Sequence, residues 1–293
     1  MASLKDLRRR VRSIKNTQMI TRAMRSVAAT KMRRTQDRRT RAQPYVQRLQ
    51  RMVADIIASL ETIQQPLLEQ RERQRRLVVA FSSDRGLCGA FNNTICRFTE
   101  DTLQELPDDT GIYVIGKRMA DYLRKRGHEP VRVHDNFNGN IDIPRVLEIA
   151  EELKQYFLSG EYDVIEVFYN RSVGALGYNP VREKLLPLRQ EDLLPKHEQD
   201  QEDEQEGDEY LFEPDAQTLL GSILPKFVDT RTLYIFSDAF SAEHQARMLA
   251  MRAANDNCRE LIDSLTLEMN KARQSSITTE ILEIVSGAEA LKG

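Results

Sequence analysis

Tryptophan is absent, aromatic residues make up 6% of the 293 positions, and cysteine occurs three times, at Cys88, Cys96 and Cys258. An odd, sparse set of thiols is not a disulfide framework and fits reduced cysteines in a cytosolic compartment. No apolar run reaches the roughly 18 residues that a membrane-crossing helix needs. Only four histidines occur, and none stands near cysteines or acids at metal-ligand spacing, so no metal site is expected. Glycine is missing from residues 1–64, where Pro44 is the one proline. What remains is rich in charge, at 30% of residues with a net of −2. Much Arg, Glu, Ala and Gln with few aromatics points to long helices with narrow contacts.

Three regions differ in period. In residues 1–64, Leu4, Leu7, Val11 and Ile14 follow a helical 3-4 rhythm. The stripe then shifts to Ile20, Met24 and Val27 and resumes from Tyr45 through Leu49, Met52 and Ile56. One long helix is predicted, about 90 Å at 1.5 Å per residue. The shift after Ile14 argues against a long regular supercoil. Pro44 is expected to bend the helix, and Gln64 to Pro66 to end it. Residues 77–213 alternate short apolar runs ("LVVAFS", "IYVIG", "VRV", "YDVIEVFYN") with helical stretches at about 92–105, 117–126 and 143–158. Such alternation predicts a layered α/β domain, with "REKLLPLRQ" as an edge strand. Within it, residues 196–208 are acidic and too poor in apolar groups to pack, which predicts a disordered loop. Residues 214–293 return to helical rhythm. Ala242, Ala246, Leu249 and Ala253 form a small-residue seam, followed by Leu261 and Leu265, then by Ile277, Ile281, Ile284 and Ala288. "TLYIFSDAF" (232–240) has strand propensity but sits between helical segments. Matched seams at the two ends predict an antiparallel coiled coil of N- and C-terminal helices with an inserted Rossmann-like α/β domain.

Four stretches are candidates for chemistry or binding. "FSSDRGLCGAFNN" (81–93) follows a strand and precedes a helix, as phosphate cradles do. Its Gly86 and Gly89 read G-x-x-G, which matches neither dinucleotide nor P-loop patterns, and no lysine follows. Arg85 lies close enough to lower the pKa of Cys88, yet no histidine is near in sequence to act as base. A plain turn is the alternative. The N-terminal helix carries fifteen Lys and Arg against two acids in residues 1–50. That is a nucleic-acid footprint, a solvated face, or a positive shaft inside acidic protein loops. The opening "MASLKDLRRRVRSIK" also resembles a transit peptide, but its helical pattern continues past residue 30 without a break. In "NKARQSSITTE" (270–280) the polar residues form either an exposed face or a hydrogen-bonding girdle for a partner.

"ITRAMRSVAATKMRRTQ", "SDRGLCGAFNN", "KLLPL", "YLFEPD", "EHQARMLAMRAANDN" and "NKARQSSITTEILEIVSGAEAL" occur in this order. Together they resemble the γ-subunit family of F-type ATP synthases along nearly the whole chain. The resemblance implies a central rotor shaft within a ring of α and β subunits, with an ε subunit and a membrane c-ring at its α/β foot. It implies no catalytic site and no cofactor of its own, and a peripheral place on the cytoplasmic face of a bacterial inner membrane. Met24, Arg273, Gln274 and Thr278 match positions facing the β ring; Tyr210, Phe212 and Glu213 match the foot region facing the membrane rotor ring. The resemblance also implies that 81–93 is a structural turn and that 232–240 is helical. Arg25 and Ser26 depart from the acid and apolar residue common after Met24, and no paired cysteines mark a thiol switch between residues 190 and 215. A basic coiled-coil adaptor for nucleic acid, or a small α/β enzyme with helical arms, are the competing readings.

Overall fold

The computed structural model describes residues 4–60, 62–72, 75–107, 109–174, 177–188 and 215–290. The chain divides into two compact units, one drawn from Met1–Ala28 and Arg247–Gly293, the other from Ala29–Ala246. In order, the elements are α1 (Leu4–Ala58), a 3-10 turn (Pro66–Leu68), β1 (Arg76–Phe81), α2 (Phe91–Gln104), β2 (Gly111–Ile115) and α3 (Lys117–Arg124). Then follow β3 (Arg132–His134), α4 (Ile143–Leu158), β4 (Val164–Val173), β5 (Gly177–Leu186) and α5 (Ala216–Ala290). The long terminal helices and central sheet match the expected class, and among the described residues no helix is long and apolar enough to cross a membrane.

In the second unit the strands lie in the order β3-β2-β1-β4-β5. The first four are parallel and β5 is an antiparallel edge, which tolerates Pro180 inside it. Side chains of β1 alternate between two cores, as strand period requires. Val78 and Ala80 face α2 and α3, packing with Ile95, Met119 and Leu123. Leu77, Val79 and Phe81 face the opposite side, where α4, the end of α1 and the first part of α5 cover the sheet. Residues 232–240 are helical, against their strand propensity. The reason is where they pack: Thr232, Ile235, Phe236, Ala239 and Phe240 are all buried, which is helical spacing on one face. Phe236 sets its ring 4.7 Å from that of Phe81. A strand here would turn half of these groups into water.

Helix α1 ends at Ala58, before the expected stop at 64–66, and continues through Pro44. The Ser59 N–H is shared between the carbonyls of Asp55 and Ile56 at 3.2 Å, and the Ser59 hydroxyl donates to Ile56 O at 2.8 Å. A serine that takes up a backbone carbonyl competes with the next helical bond. The starting turns of α5 meet the segment that follows α1: Gln65 Nε2 donates to Gln217 O at 2.8 Å and Gln217 Nε2 to Gln64 O at 2.7 Å.

The first unit corrects the predicted seam. Among the buried and half-buried positions of α1 in this unit, with Asp6 and the expected Met24 half-buried beside them, are Leu4, Leu7, Val11, Ile14, Gln18, Thr21, Arg25 and Ala28. Their spacing is an unbroken 3-4 heptad. On α5 the matching set is Met251, Asn255, Cys258, Ile262, Leu265, Met269 and Ala272, again in heptads. Ile20 and Val27, assigned to the stripe on hydrophobicity, are 60% and 57% exposed, and Leu261 is 52% exposed. Polar and small side chains share the core positions with apolar ones, while Ile20, Val27 and Leu261 turn outward. Val11 and Ile262 line one groove, so early α1 lies against late α5, and the helices run antiparallel.

Glu183 of β5 joins the edge strand to α5. Its Oε1 accepts from Arg231 Nη2 at 3.0 Å, and its Oε2 accepts from Tyr169 OH at 3.0 Å and from Arg171. Burial would raise this carboxyl, but Arg231 and Arg171, with the Tyr169 hydroxyl, outweigh it and hold it below the ordinary 4.5. A depressed carboxylate stabilises the fold above its unfolded pKa, and that contribution is lost as pH falls through the folded value.

Two outcomes follow from this packing. Glu183→Gln should cost about 1–3 kcal/mol in urea melts at neutral pH, and its deficit should shrink as pH drops below 4.5. An equal deficit at acid pH would remove the charge from the account. In a background free of native cysteines, Val11→Cys with Ile262→Cys should crosslink within one chain through a short bifunctional reagent, whereas Val11→Cys with Leu261→Cys should not. The reverse pattern would put the seam in the phase read from hydrophobicity.

Candidate partner-binding surfaces

The chain passes from β1 to β2 and β3 on one side and returns to β4 on the other, so the topological switch point lies between β1 and β4. Open α/β sheets bind ligands at that point, beyond the carboxyl ends of the strands. Residues 82–90 occupy this place, and the protein's own groups fill it. The N–H groups opening α3 are all taken: Lys117 N donates to Asp84 Oδ1 at 3.2 Å, Arg118 N to Ser83 O at 3.2 Å and Met119 N to Ser82 Oγ at 2.8 Å. Gly116, at φ +100°, lets the backbones meet; a Cβ there would lie 2.2 Å from Ser82 O. Asn170 Nδ2 donates to Phe91 O at 3.0 Å, closing the β4 side. Cys88 and Phe91 pack on Ala242 and Ala246 of α5, with Tyr178 beside them.

Cys88 is 2% exposed. Asn92 Nδ2 donates to its Sγ at 3.2 Å, and Asn92 Oδ1 accepts from Ser83 N at 3.0 Å and Ser83 Oγ at 2.9 Å. The segment is a cross-braced turn that encloses the thiol. Among the described residues, no group of three or more His, Cys, Asp and Glu side chains is placed to hold a metal ion.

The open surfaces are on the two long helices. From Arg273 to Ala288 every residue of α5 is exposed. Ile277, Ile281, Ile284 and Ala288 fall within about 60° of each other on the helix, at 100° per residue, and Ile284 is 70% exposed. An unpartnered apolar stripe of this kind marks an interaction site. Arg273, Gln274 and Thr278 stand at its near end, exposed and spread over about 140° of the circumference. The Thr278 hydroxyl donates back to Gln274 O at 2.9 Å. Met24 does not join them. It is half-buried on α1, about 40 Å along the coiled coil by helical rise. Arg25 sits half-buried in the seam and Ser26 is exposed, its hydroxyl donating to Arg22 O at 3.3 Å. Tyr210, Phe212 and Glu213, like the acidic run 196–208, lie outside the described residues.

Composition alone did not locate a groove of about 590 Å³ in the first unit. Arg8, Arg12, Lys15 and Arg259 surround it, Val11, Met19 and Ile262 supply its apolar part, and no acidic residue lines it. The heptad phase of Leu4, Leu7 and Val11, carried on unbroken, would have pointed to it, because it places Arg8, Arg12 and Lys15 beside the seam.

All three thiols are buried. Burial pushes the Cys96 thiol up to about 12, against a smaller opposing pull from Arg126. Ellman's reagent should therefore leave the native chain almost unlabelled and react with all three thiols in urea, since the thiolate is the reactive form. Fast labelling of Cys88 in the native chain would reopen the nucleophile reading.

Residues 3–291 match the family model described as ATP synthase. The chain is 38% identical over 292 residues to an ATP synthase gamma chain of Desulfitobacterium hafniense, covering all of both sequences. It is 38% identical over 299 residues to one from Chlorobaculum parvum, again along the full length of both. Among solved structures it resembles a chain of the Euglena gracilis mitochondrial ATP synthase, in an OSCP/F1/c-ring assembly, with a TM-score of 0.70 and 22% identity over 98% of this chain and 94% of that one. A chain from the rotor of the same enzyme aligns with a TM-score of 0.63 and 20% identity over 94% and 98%. Full-length identity at this level, on the same long helices and mixed sheet, means that the chain belongs to the ATP synthase gamma chain family.

Proposed function

We propose that this protein is the central rotor shaft of an F-type ATP synthase, carrying torque between an ion-driven membrane ring and a catalytic ring of α and β subunits. Family membership along the whole chain supports it. The observation that carries it is the exposed end of α5, sixteen residues from Arg273 to Ala288 without a covered position. A free helix of that length is marginal in water. A ring of subunits closing around it would cover the Ile277–Ile281–Ile284 stripe, as an apolar sleeve does, while Arg273, Gln274 and Thr278 address its polar rim. The cationic groove and the exposed Met19, Ile20 and Val27 extend the same contact surface along α1. Acidic loops of β subunits are the complementary partner.

Each charge crossing a 100 mV potential supplies about 2.3 kcal/mol. A shaft delivers that energy by presenting different faces to three β subunits, so that each is held in a different conformation with a different affinity for nucleotide. That task needs shape and stiffness and no nucleophile, in keeping with the filled switch point and the buried Cys88. The foot contacts an ε subunit and the c-ring, with Tyr210, Phe212 and Glu213 facing that ring, and the chain works peripherally at the cytoplasmic face of a bacterial inner membrane. The nucleic-acid adaptor is set aside, because full-length family membership already accounts for the basic helix.

A tagged chain should copurify with α and β subunits; isolation without them would sink the rotor reading. Arg273→Ala with Gln274→Ala removes a charge-assisted contact worth about 1.5–3 kcal/mol. The double variant should assemble, retain nucleotide on the ring and turn over several-fold more slowly. Normal assembly with wild-type turnover and coupling would exclude the girdle from the working contact.

A further inference from the structure

The β3–α4 loop, residues 135–142, has an unusual backbone. Asn136, Asn138 and Gly139 lie at φ of 65°, 51° and 68°, three left-handed residues out of four. Asparagine tolerates that region and glycine is at ease in it, but the conformation persists only where the surroundings hold it. Here the surroundings come from four directions. Asp84, in the loop three residues beyond β1, accepts Asn138 N through Oδ2 at 2.7 Å while its Oδ1 caps α3. From α1, Lys31 Nζ donates to Asn138 O at 3.1 Å and Arg38 Nη1 to Ile141 O at 3.3 Å. From α5, His244 Nε2 is 2.7 Å from Gly139 O, with the imidazole 1% exposed. Phe137 lies between elements, its ring 5.4 Å and 5.8 Å from those of Phe236 and Phe240 and under the Arg145 guanidinium at 4.0 Å. At Gly139 even a methyl group would lie 2.5 Å from the imidazole.

We propose that this loop is the brace that fixes both long helices to the α/β layers so that they turn together, with Asp84, Lys31, His244 and Gly139 as its positioning residues. The inference rests on the rotor reading above. Helices packed only through apolar side chains can slip along each other at small cost, because dispersion contacts have no direction. Hydrogen bonds to fixed carbonyls do have direction, and buried ones are expensive to break. A loop that offers consecutive carbonyls, Asn138 O to α1 and Gly139 O to α5, ties the two helices to one short piece of backbone. Asp84 anchors that backbone to the sheet. The "SDRG" stretch then has a mechanical purpose beyond its turn.

The test uses the complete complex in inverted membrane vesicles and reads the ratio of ATP-driven ion pumping to ATP hydrolysis. Lys31→Ala, Asp84→Ala and Gly139→Ala should each lower the ratio several-fold while hydrolysis stays near wild type. Asp84→Asn, which keeps one acceptor oxygen, should lie between Asp84→Ala and wild type. The double variant Asp84→Ala with Gly139→Ala should be no worse than the poorer single, because both loosen one element. Lys31→Ala decides the case if the other variants fail to assemble, since it removes one side chain from the half-buried face of a continuous helix. Assembled variants that keep the wild-type ratio, or additive losses in the double variant, would overturn the brace. Wild-type vesicles that do not pump would instead overturn the rotor reading on which it stands.

Discussion

One helix face organises the second unit: the side of α5 that runs from Leu220 to Ala246. It buries Leu220, Leu224, Phe227, Val228, Ile235 and Phe236 on the sheet and on the end of α1. Farther along, Ala242 and Ala246 close over Cys88 and Phe91. The sheet has a ligand-binding topology whose crevice must be filled by something. Ala242 and Ala246, small residues on α5, let the helix come close against Cys88 and Phe91 beside it.

The same helix also carries polar groups into the interior. Asp238, Ser241, Glu243, His244 and Gln245 are each 3% exposed or less. Buried polar groups are costly unless bonded. The bonds found here run to the α/β layers: Gln245 accepts from Ser172 Oγ at 3.1 Å, and His244 meets Gly139 O. Lys154 Nζ of α4 likewise reaches Asp229 Oδ1 at 2.9 Å. Apolar burial supplies the driving force for this packing, whereas these bonds select one register of α5 on the sheet. For a part that has to bear load, register is the property that matters.

Family relatives and fold agree on what such a part does, and the chemistry is consistent with them. The exposed stretch of α5 carries an apolar stripe, and the groove on the first unit has a cationic edge.

Much of this was legible in the residues alone. Short apolar runs marked the strands and 3.6-period runs the helices, and Ile143–Leu158 matches its expected bounds. The exposed polar cluster at Arg273, Gln274 and Thr278 was identified from its residue types. Three features needed the tertiary structure. Hydrophobicity put Ile20, Val27 and Leu261 in the seam, but the pair packs through Gln18, Thr21, Asn255 and Cys258. Helix pairing rewards side chains that fit between two backbones, and a sequence read one helix at a time carries no information about the facing surface. Residues 232–240 favoured a strand by local propensity; the family resemblance implied a helix, and the physical reason, burial of Phe236 and Phe240 on the sheet face, appears only in the tertiary structure. The grip of Lys31, Asp84 and His244 on residues 138 and 139 joins positions more than 50 apart to backbone atoms, which have no signature in side-chain patterns. A sequence by itself determines the period of each segment and the chemistry it exposes; which faces meet is settled only when the elements compete for the same buried volume.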